Sequence, residues 1–538
     1  MHPLIVRCIG LTVVLCSEHA MAGYLDSFRD AATSSMRYTR AVAAPKLPCS
    51  AFRQRTDFEV TIISAELMPK AGNLPEHCKI HGVIRPEVQF WVYLPSTWNG
   101  RIYMAGHSGY AGHGPEDLQV FTVTIPAGIA HNFATVFTST GHDKTYEPLG
   151  TFALNEIQKT LDYSYRAVHL TIHAAKELVR EYYDQAASRS YFDGCSTGGR
   201  QALMEAQRFP DDFDGVVSGA PVNDQTNLHI WMAWVYQEMD KTRLPPSKVV
   251  ELLAPKVYEK CDALDGARDG LIQDPQRCAF APEKELPRCA GEERGDCFTP
   301  PQLDAITRIY SPVLSDGKEY FPAMPLGAEP VGPYEQRFAP KGPSGTGWYA
   351  YPGLIDEHGG LGAMVHFADT FFKYFAFAKD DPNYNWRQLS FSDDVKKMDR
   401  IRRMLDAVDP DLTAFRKRGG KIIQYHGWAD TGPPASFSVK YYREVLDTLG
   451  PETPSFYRLF MVPGMFHCNG GFGSDVFDPM TALIEWVEED KAPDRMTALR
   501  IKDGAIERSH PICPYPQIAK FKGAGDLKRA ASFTCGAP

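Results

Sequence analysis

The stretch "SYFDGCSTGGRQALMEAQRFP", from Ser190 to Pro210, restricts the fold more than any other part of the chain. Its centre, Gly194-Cys195-Ser196-Thr197-Gly198, follows the β-prone run "SRSYF" and opens a helical run that stops at Pro210. A strand, a tight glycine turn and a helix in that order form an elbow that lifts a serine hydroxyl clear of the backbone. The helix N-terminus offers positive potential to a developing oxyanion, and the backbone N–H of Thr197 is the first donor placed to use it. The five-residue pattern alone also describes a plain glycine-rich turn. The flanking strand and helix favour the elbow, and with it an α/β fold.

A serine hydroxyl is a weak nucleophile without a base and a carboxylate that orients the base. In α/β-hydrolases these follow in the order Ser, Asp or Glu, His. "GGKIIQYHGWAD" supplies an apolar strand (Ile422, Ile423, Tyr425) and then Asp430 on a loop. "FYRLFMVPGMFHC" supplies another strand, Phe456 to Val462, and then His467. The histidines after Asp430 are His467 and His510; His510, in "SHPICPYP", has no evident strand before it and reads as a surface or packing residue. The expected triad is Ser196, Asp430 and His467. About two hundred residues separate the elbow helix from the Asp430 strand, far more than a bare hydrolase core needs. Most of this is expected to be an inserted lid, residues 222–415, interrupting a catalytic domain of residues 23–221 and 416–538. Its aromatic clusters (Trp231, Trp234, Tyr236; Phe371, Phe372, Tyr374, Phe375, Phe377) read mainly as lid core, with one or two rings facing a planar ligand.

Residues 1–22 read as a secretory signal peptide: Arg7, an apolar run from Cys8 to Cys16, then Ala20-Met21-Ala22. A buried N-terminal helix and a lipid-modified Cys16 are the alternatives, the second opposed by the bulky Leu15. No other run approaches the ~18 apolar residues of a membrane span, so no stable membrane association is expected. The mature protein is expected in the periplasm or outside the cell. Of the 12 cysteines all but Cys8 and Cys16 remain after the leader, an even number that suits disulfides in an exported chain. Neighbours in sequence suggest Cys49–Cys78, Cys261–Cys278, Cys289–Cys297 and Cys513–Cys535, which leaves Cys195 and Cys468 by elimination. That last bond would join the residue beside the nucleophile to the residue beside the base; the plainer reading makes Cys195 a small buried residue. A net charge of −9 and the lack of any Lys/Arg block argue against nucleic acid as a partner.

Taken together, "GCSTGGR", "FPDDFDGVVSGAP", "YHGWAD", "VPGMFHC" and "CDALDGARDGLI" resemble the tannase and feruloyl esterase family, over a span from "LPEHCKI" near residue 74 to "CPYPQIAKFKGAGD" near residue 513. The resemblance implies an α/β-hydrolase fold with a large lid. It also implies a secreted serine esterase that cleaves small esters of aromatic (hydroxycinnamic or phenolic) acids through an acyl-enzyme. It carries over Ser196, Asp430 and His467 as the triad and Cys195–Cys468 as the linking disulfide. It places the second oxyanion donor in "YMAGHSGYAGHG", at Gly109 with Gly106 as the alternative. His107 in that loop reads more readily as a hydrogen-bonded loop residue than as a substrate contact. In "CDALDGARDGLIQDPQRC", the carboxylates of Asp262, Asp265 and Asp269 suit either a hard cation or a solvated acidic loop, and their spacing is not that of an EF-hand. The resemblance turns this toward a structural Ca2+, with the carbonyls of Ala267 and Leu271 completing the shell. Gallate esters and mono(2-hydroxyethyl) terephthalate are the alternative substrates. The second carries a free carboxylate that needs a cation, and the aromatic lid segment offers Lys373, with Arg337 further off. From another class, the alternative is a calcium-stabilised binding protein for phenolic ligands. The oligomeric state stays open.

Overall fold

The computed structural model describes residues 27–118, 120–315, 318–329, 348 and 364–538; the leader and Arg337 lie outside the described residues. Short apolar runs rich in β-branched and aromatic residues form the strands β1 (Val60–Met68), β2 (His77–Ile84), β3 (Val88–Pro95), β4 (Arg101–Ala105), β5 (Ala134–Thr138), β6 (Arg189–Cys195) and β7 (Gly215–Gly219). A hairpin of β8 (Val313–Ser315) and β9 (Lys318–Phe321) lies in the region assigned to the lid, and β10 (Lys421–Gly427) and β11 (Tyr457–Val462) follow it. The main sheet has nine strands in the order β1-β2-β3-β5-β4-β6-β7-β10-β11. From β5 to β11 neighbours pair parallel, whereas β1, β2 and β3 add an antiparallel margin. The pattern of burial follows. The parallel strands β5 and β7 are buried at every residue, as strands covered on both faces must be, while β2 at the margin alternates.

The helices used below are α1 (Ala167–Tyr183), α2 (Thr197–Arg208), α3 (Gln225–Thr242), α4 (Val365–Tyr374), α5 (Ala435–Leu449) and α6 (Pro479–Glu489). Helices α1, α2 and α5 bury their apolar stripes against one face of the sheet, and α6 with the helix Phe121–Ala130 covers the other. A separate apolar cluster is built mostly from residues between Leu228 and Leu405, including α3 and α4. There Trp231, Tyr236, Phe371, Phe372 and Phe375 are buried, while Trp234, Tyr374 and Phe377 pack on the outside of the cluster. Tyr110, Phe152, Tyr163, Phe437 and Phe466 join this cluster from outside that span, so it is keyed into the sheet-bearing part. Disulfides join Cys49–Cys78, Cys195–Cys468, Cys261–Cys278, Cys289–Cys297 and Cys513–Cys535. Among the described residues no helix is long and apolar enough to cross a membrane.

Candidate active site

β6 ends at Cys195 and α2 begins at Thr197, so Ser196 alone makes the turn, with φ 64° and ψ −120°. A non-glycine residue with such a backbone costs on the order of 1–3 kcal/mol and persists only where its surroundings fix it. Here they do. Ser196 N–H donates to Gly219 O on β7 (2.9 Å), and Ser196 O accepts from Val222 N–H (3.1 Å). Gly194, Gly198 and Gly106 meet backbone to backbone at the turn. A Cβ on Gly194 would lie 2.7 Å from the Gly198 main chain, and one on Gly106 would lie 2.9 Å from both Gly194 Cα and Gly198 Cα. Only glycines let the end of β4 come this close to the elbow.

Asp430 follows β10 and is fully buried. Its Oδ2 accepts from His467 Nδ1 (2.7 Å) and from His426 Nε2 (3.1 Å), and its Oδ1 accepts from Gly432 N–H (2.8 Å). Burial pushes the Asp430 carboxyl up, but the His467 charge and the hydrogen bonds from His426 and His467 outweigh it and hold the group below the ordinary carboxylate range. His426 was not singled out from the sequence. Its Nε2 faces two acceptors, Asp430 Oδ2 and Pro433 O, and so carries the proton; its Nδ1 accepts from Ser438 Oγ (2.7 Å). Ser438 Oγ accepts in turn from Gln424 Nε2 (2.7 Å), and Gln424 Oε1 accepts from the Tyr457 hydroxyl. This buried string delivers a second donor to the Asp430 oxygen that holds His467. His426→Ala is expected to lower kcat by about 10–100-fold with KM nearly unchanged, since a lost hydrogen bond to a charged group costs about 1.5–3 kcal/mol. Steady-state kinetics on one ester will show it, and a change confined to KM would remove His426 from this role.

Ser196 and His467 border one cavity of about 620 Å³. Cys195–Cys468 ties the residue before Ser196 to the residue after His467, with Cα atoms 5.9 Å apart across 273 positions of sequence. Thr197 N–H is the first amide of α2 and has no partner within the helix. The Thr197 hydroxyl donates to Gly109 O, which brings the Gly109 backbone beside the elbow. Gly106 N–H, by contrast, is already committed to Asp193 O (2.8 Å), which removes it as an oxyanion donor. His107 Nε2 donates to Thr138 O, its Nδ1 lies 3.0 Å from the Gln201 side-chain amide, and burial holds its pKa down; it is a loop-bracing residue. His510 is buried inside the strand Ala505–Ile512 and meets Gln273 Nε2 (2.8 Å), so it is a packing residue. Contrary to the expectation from sequence, a strand does precede it: Met496–Lys502 pairs antiparallel with the strand of His510.

The cavity walls carry Tyr103, Tyr110, Phe121, Phe367, Tyr425 and Phe477. Phe367, on α4, borders both this cavity and a smaller one of about 80 Å³. Ser196, Gly109 and His467 also border both, so the two spaces meet at the serine. Lys144 lines the larger cavity, and no carboxylate within ion-pair distance faces it among the described residues. The cation anticipated in the lid, Lys373, is instead paired with Asp369 on its own helix (2.7 Å).

In the acidic loop, Gly270 N–H donates to Asp262, Ala267 N–H to Asp265 Oδ1 (2.9 Å) and Leu271 N–H to Asp269 Oδ1 (3.1 Å). Asp265 Oδ2 and Asp269 Oδ2 are buried with no hydrogen-bond partner, and Arg508 Nη1 is 3.8 Å from the latter. Burial, reinforced by the neighbouring carboxylates, raises Asp265 to about 7 and Asp269 to about 6. Two orphaned carboxylate oxygens at one loop fit a hard cation.

The family described as "Tannase and feruloyl esterase" matches residues 73–536. Mono(2-hydroxyethyl) terephthalate hydrolase of Piscinibacter sakaiensis is 34% identical over 540 aligned positions, covering 88% of this chain and 87% of that protein. Feruloyl esterase B of Aspergillus niger is 28% identical, covering 90% and 95% of the two chains. The crystal structure of feruloyl esterase B from Aspergillus oryzae superposes with a TM-score of 0.77 at 27% identity, covering 91% and 99% of the two chains.

Proposed function

Because the chain belongs to the tannase and feruloyl esterase family, and is a carboxylic ester hydrolase, we propose that it cleaves esters of hydroxycinnamic and related phenolic acids through an acyl-enzyme formed on Ser196. The observation that carries this reading is the aromatic-walled cavity opening on Ser196 and His467, of a volume that suits a planar acyl group. Ser196 Oγ attacks the ester carbonyl as His467 takes its proton, with Asp430 holding the imidazole by its Nδ1–H. The N–H groups of Thr197 and Gly109 receive the oxyanion. His467 then protonates the leaving alcohol, and water, activated by the same histidine, resolves the acyl-enzyme. The lid of residues 222–415 brings Phe367 to the ring of the acyl group. We place the mature enzyme in the periplasm or outside the cell, in keeping with its disulfides.

Lys144 favours a second reading, in which the acyl group bears a free carboxylate, as in mono(2-hydroxyethyl) terephthalate. Initial rates on methyl ferulate, methyl gallate and mono(2-hydroxyethyl) terephthalate separate the two. Methyl ferulate is expected to lead, with Lys144→Ala changing its rate little. A lead for the terephthalate monoester that Lys144→Ala lowers about tenfold, the equivalent of 1.4 kcal/mol, would install the second reading. Failure on all three esters, with no labelling of Ser196 by a fluorophosphonate, would leave a phenolic-ligand binder.

We assign a structural Ca2+ to Asp262, Asp265 and Asp269 with the carbonyls of Ala267 and Leu271; bound there, it offsets most of the charge of the three carboxylates. A calcium chelator is expected to lower the melting temperature by several degrees, since a ligand at a thousandfold excess over its Kd contributes about 4 kcal/mol. Added Ca2+ restores it, and Asp265→Asn abolishes the response. A melting temperature indifferent to the chelator would remove the ion.

A further inference from the structure

Away from the acidic loop, a second cluster combines imidazoles with carboxylates. His169 and His173 stand one turn apart on α1, so both rings leave the same face of the helix. Asp212, on the loop between α2 and β7, faces them: His169 Nδ1 is 2.6 Å from its Oδ2 and His173 Nε2 is 2.9 Å from its Oδ1. The candidate ligand atoms all lie within 4.8 Å of one another, the one such trio of His, Cys, Asp or Glu among the described residues. His169 is held in place by stacking on Phe209, with centroids 3.8 Å apart. Both imidazoles keep an open side, with side chains 29% and 58% exposed, whereas Asp212 is buried.

Glu205 on α2 supplies an independent observation. It is 1% exposed, neither carboxylate oxygen has a hydrogen-bond partner, and Asp212 is the charged group that acts on it most strongly. The nearby cation Lys176 spends its ammonium on main-chain oxygens, those of Asp212 (2.6 Å) and Asp211 (3.3 Å). The two imidazoles hydrogen-bond Asp212, and Glu205, buried behind it, is left to Asp212 itself as its side-chain partner, with its carboxyl pushed up by burial and by that neighbouring charge. A dication would be held by both rings and Asp212, with Glu205 supporting it through Asp212.

We propose that His169, His173 and Asp212, backed by Glu205, bind a divalent transition metal of the zinc type. Two imidazole nitrogens with carboxylate oxygens suit Zn2+ and its neighbours, whereas Ca2+ and Mg2+ take oxygen ligands. The site is remote from the chemistry. β6 and β7 run parallel, and Cys195 pairs with Gly219 at the end that carries Ser196. Asp212 precedes Gly215, which pairs with Tyr191 toward the opposite end. A metal here therefore fastens α1 to the loop that leads into β7 and takes no part in ester cleavage.

The test uses the mature chain, stripped of metal and reloaded with Ca2+ so that the acidic loop is saturated. Co2+ is titrated in and followed by its visible absorption, and Zn2+ is then added in competition. The wild type is expected to bind one Co2+ per chain, displaced by Zn2+. Glu205→Gln should weaken binding by about 10–100-fold, as loss of a supporting carboxylate does. His173→Ala, an exposed position whose loss leaves the fold and the hydrolysis rate unchanged, should abolish the absorption bands. No bands in the wild type, or the same bands in active His173→Ala, would overturn the proposal.

Discussion

Ser196→Ala is expected to lower kcat by about 10⁴–10⁶-fold on whichever ester the enzyme prefers, while the substrate's KM stays within a few-fold. The size of the loss follows from how the site divides its work. Ser196 supplies the only bond-forming atom, and no side chain at the elbow replaces it: Cys195 beside it is tied in a disulfide, and the Thr197 hydroxyl is occupied by Gly109 O. What survives is the cavity, the oxyanion donors and the His467–Asp430 pair, which together still favour attack by water. Alanine keeps the backbone turn only at a cost, since φ 64° is no easier for alanine than for serine. Burst kinetics and intact-mass measurement with a slow ester will separate the alternatives. The wild type should carry one acyl group per chain and Ser196→Ala none. An acyl adduct in the variant would show that another residue is the nucleophile.

The second large effect is expected from the Cys195–Cys468 bond. Replacing both cysteines by serine should cost about 5 kcal/mol of stability on the chain-entropy account, because the bond closes a very long loop. Activity should fall further than stability alone explains. The bond is one residue from Ser196 on one side and one residue from His467 on the other, so without it base and nucleophile lose their shared anchor. Near-attack geometry is sensitive to displacements of about 1 Å, which can cost on the order of 100-fold. The measurement is kcat at a temperature where the variant is demonstrably folded, set beside a Cys289→Ser, Cys297→Ser variant, which loses a short loop far along the chain. Equal effects of the two removals on kcat would reduce the central disulfide to a general staple.

How much of this was legible in the sequence depends on how local the signal is. The elbow, Asp430 and His467 each follow an apolar strand within a few residues, so strand-then-loop patterning finds them. The hydrogen bond between His467 and Asp430 then follows from β10 and β11 being parallel neighbours. His426 had a signal that went unused: it stands four residues before Asp430 in "YHGWAD", close enough to reach the same carboxylate. The choice between Gly109 and Gly106 was not available, because it turns on Gly106 N–H being committed to Asp193 O of the adjacent strand. Lys144 carries no local signal, since it lies on the loop after β5, far in sequence from the aromatic segment around Lys373. The strand carrying His510 could have been seen. Asp503-Gly504 between "MTALRIK" and "AIERSHPI" is a strong hairpin turn signal, and both residues adopt positive φ there.

The linking disulfide also makes the geometry of the site depend on the redox state of its surroundings. A reducing cytosol keeps such thiol pairs open, so a chain that has not left it lacks the tether between its two reacting residues. In an oxidising environment the same bond that closes the longest loop among the disulfides also sets the spacing of Ser196 and His467.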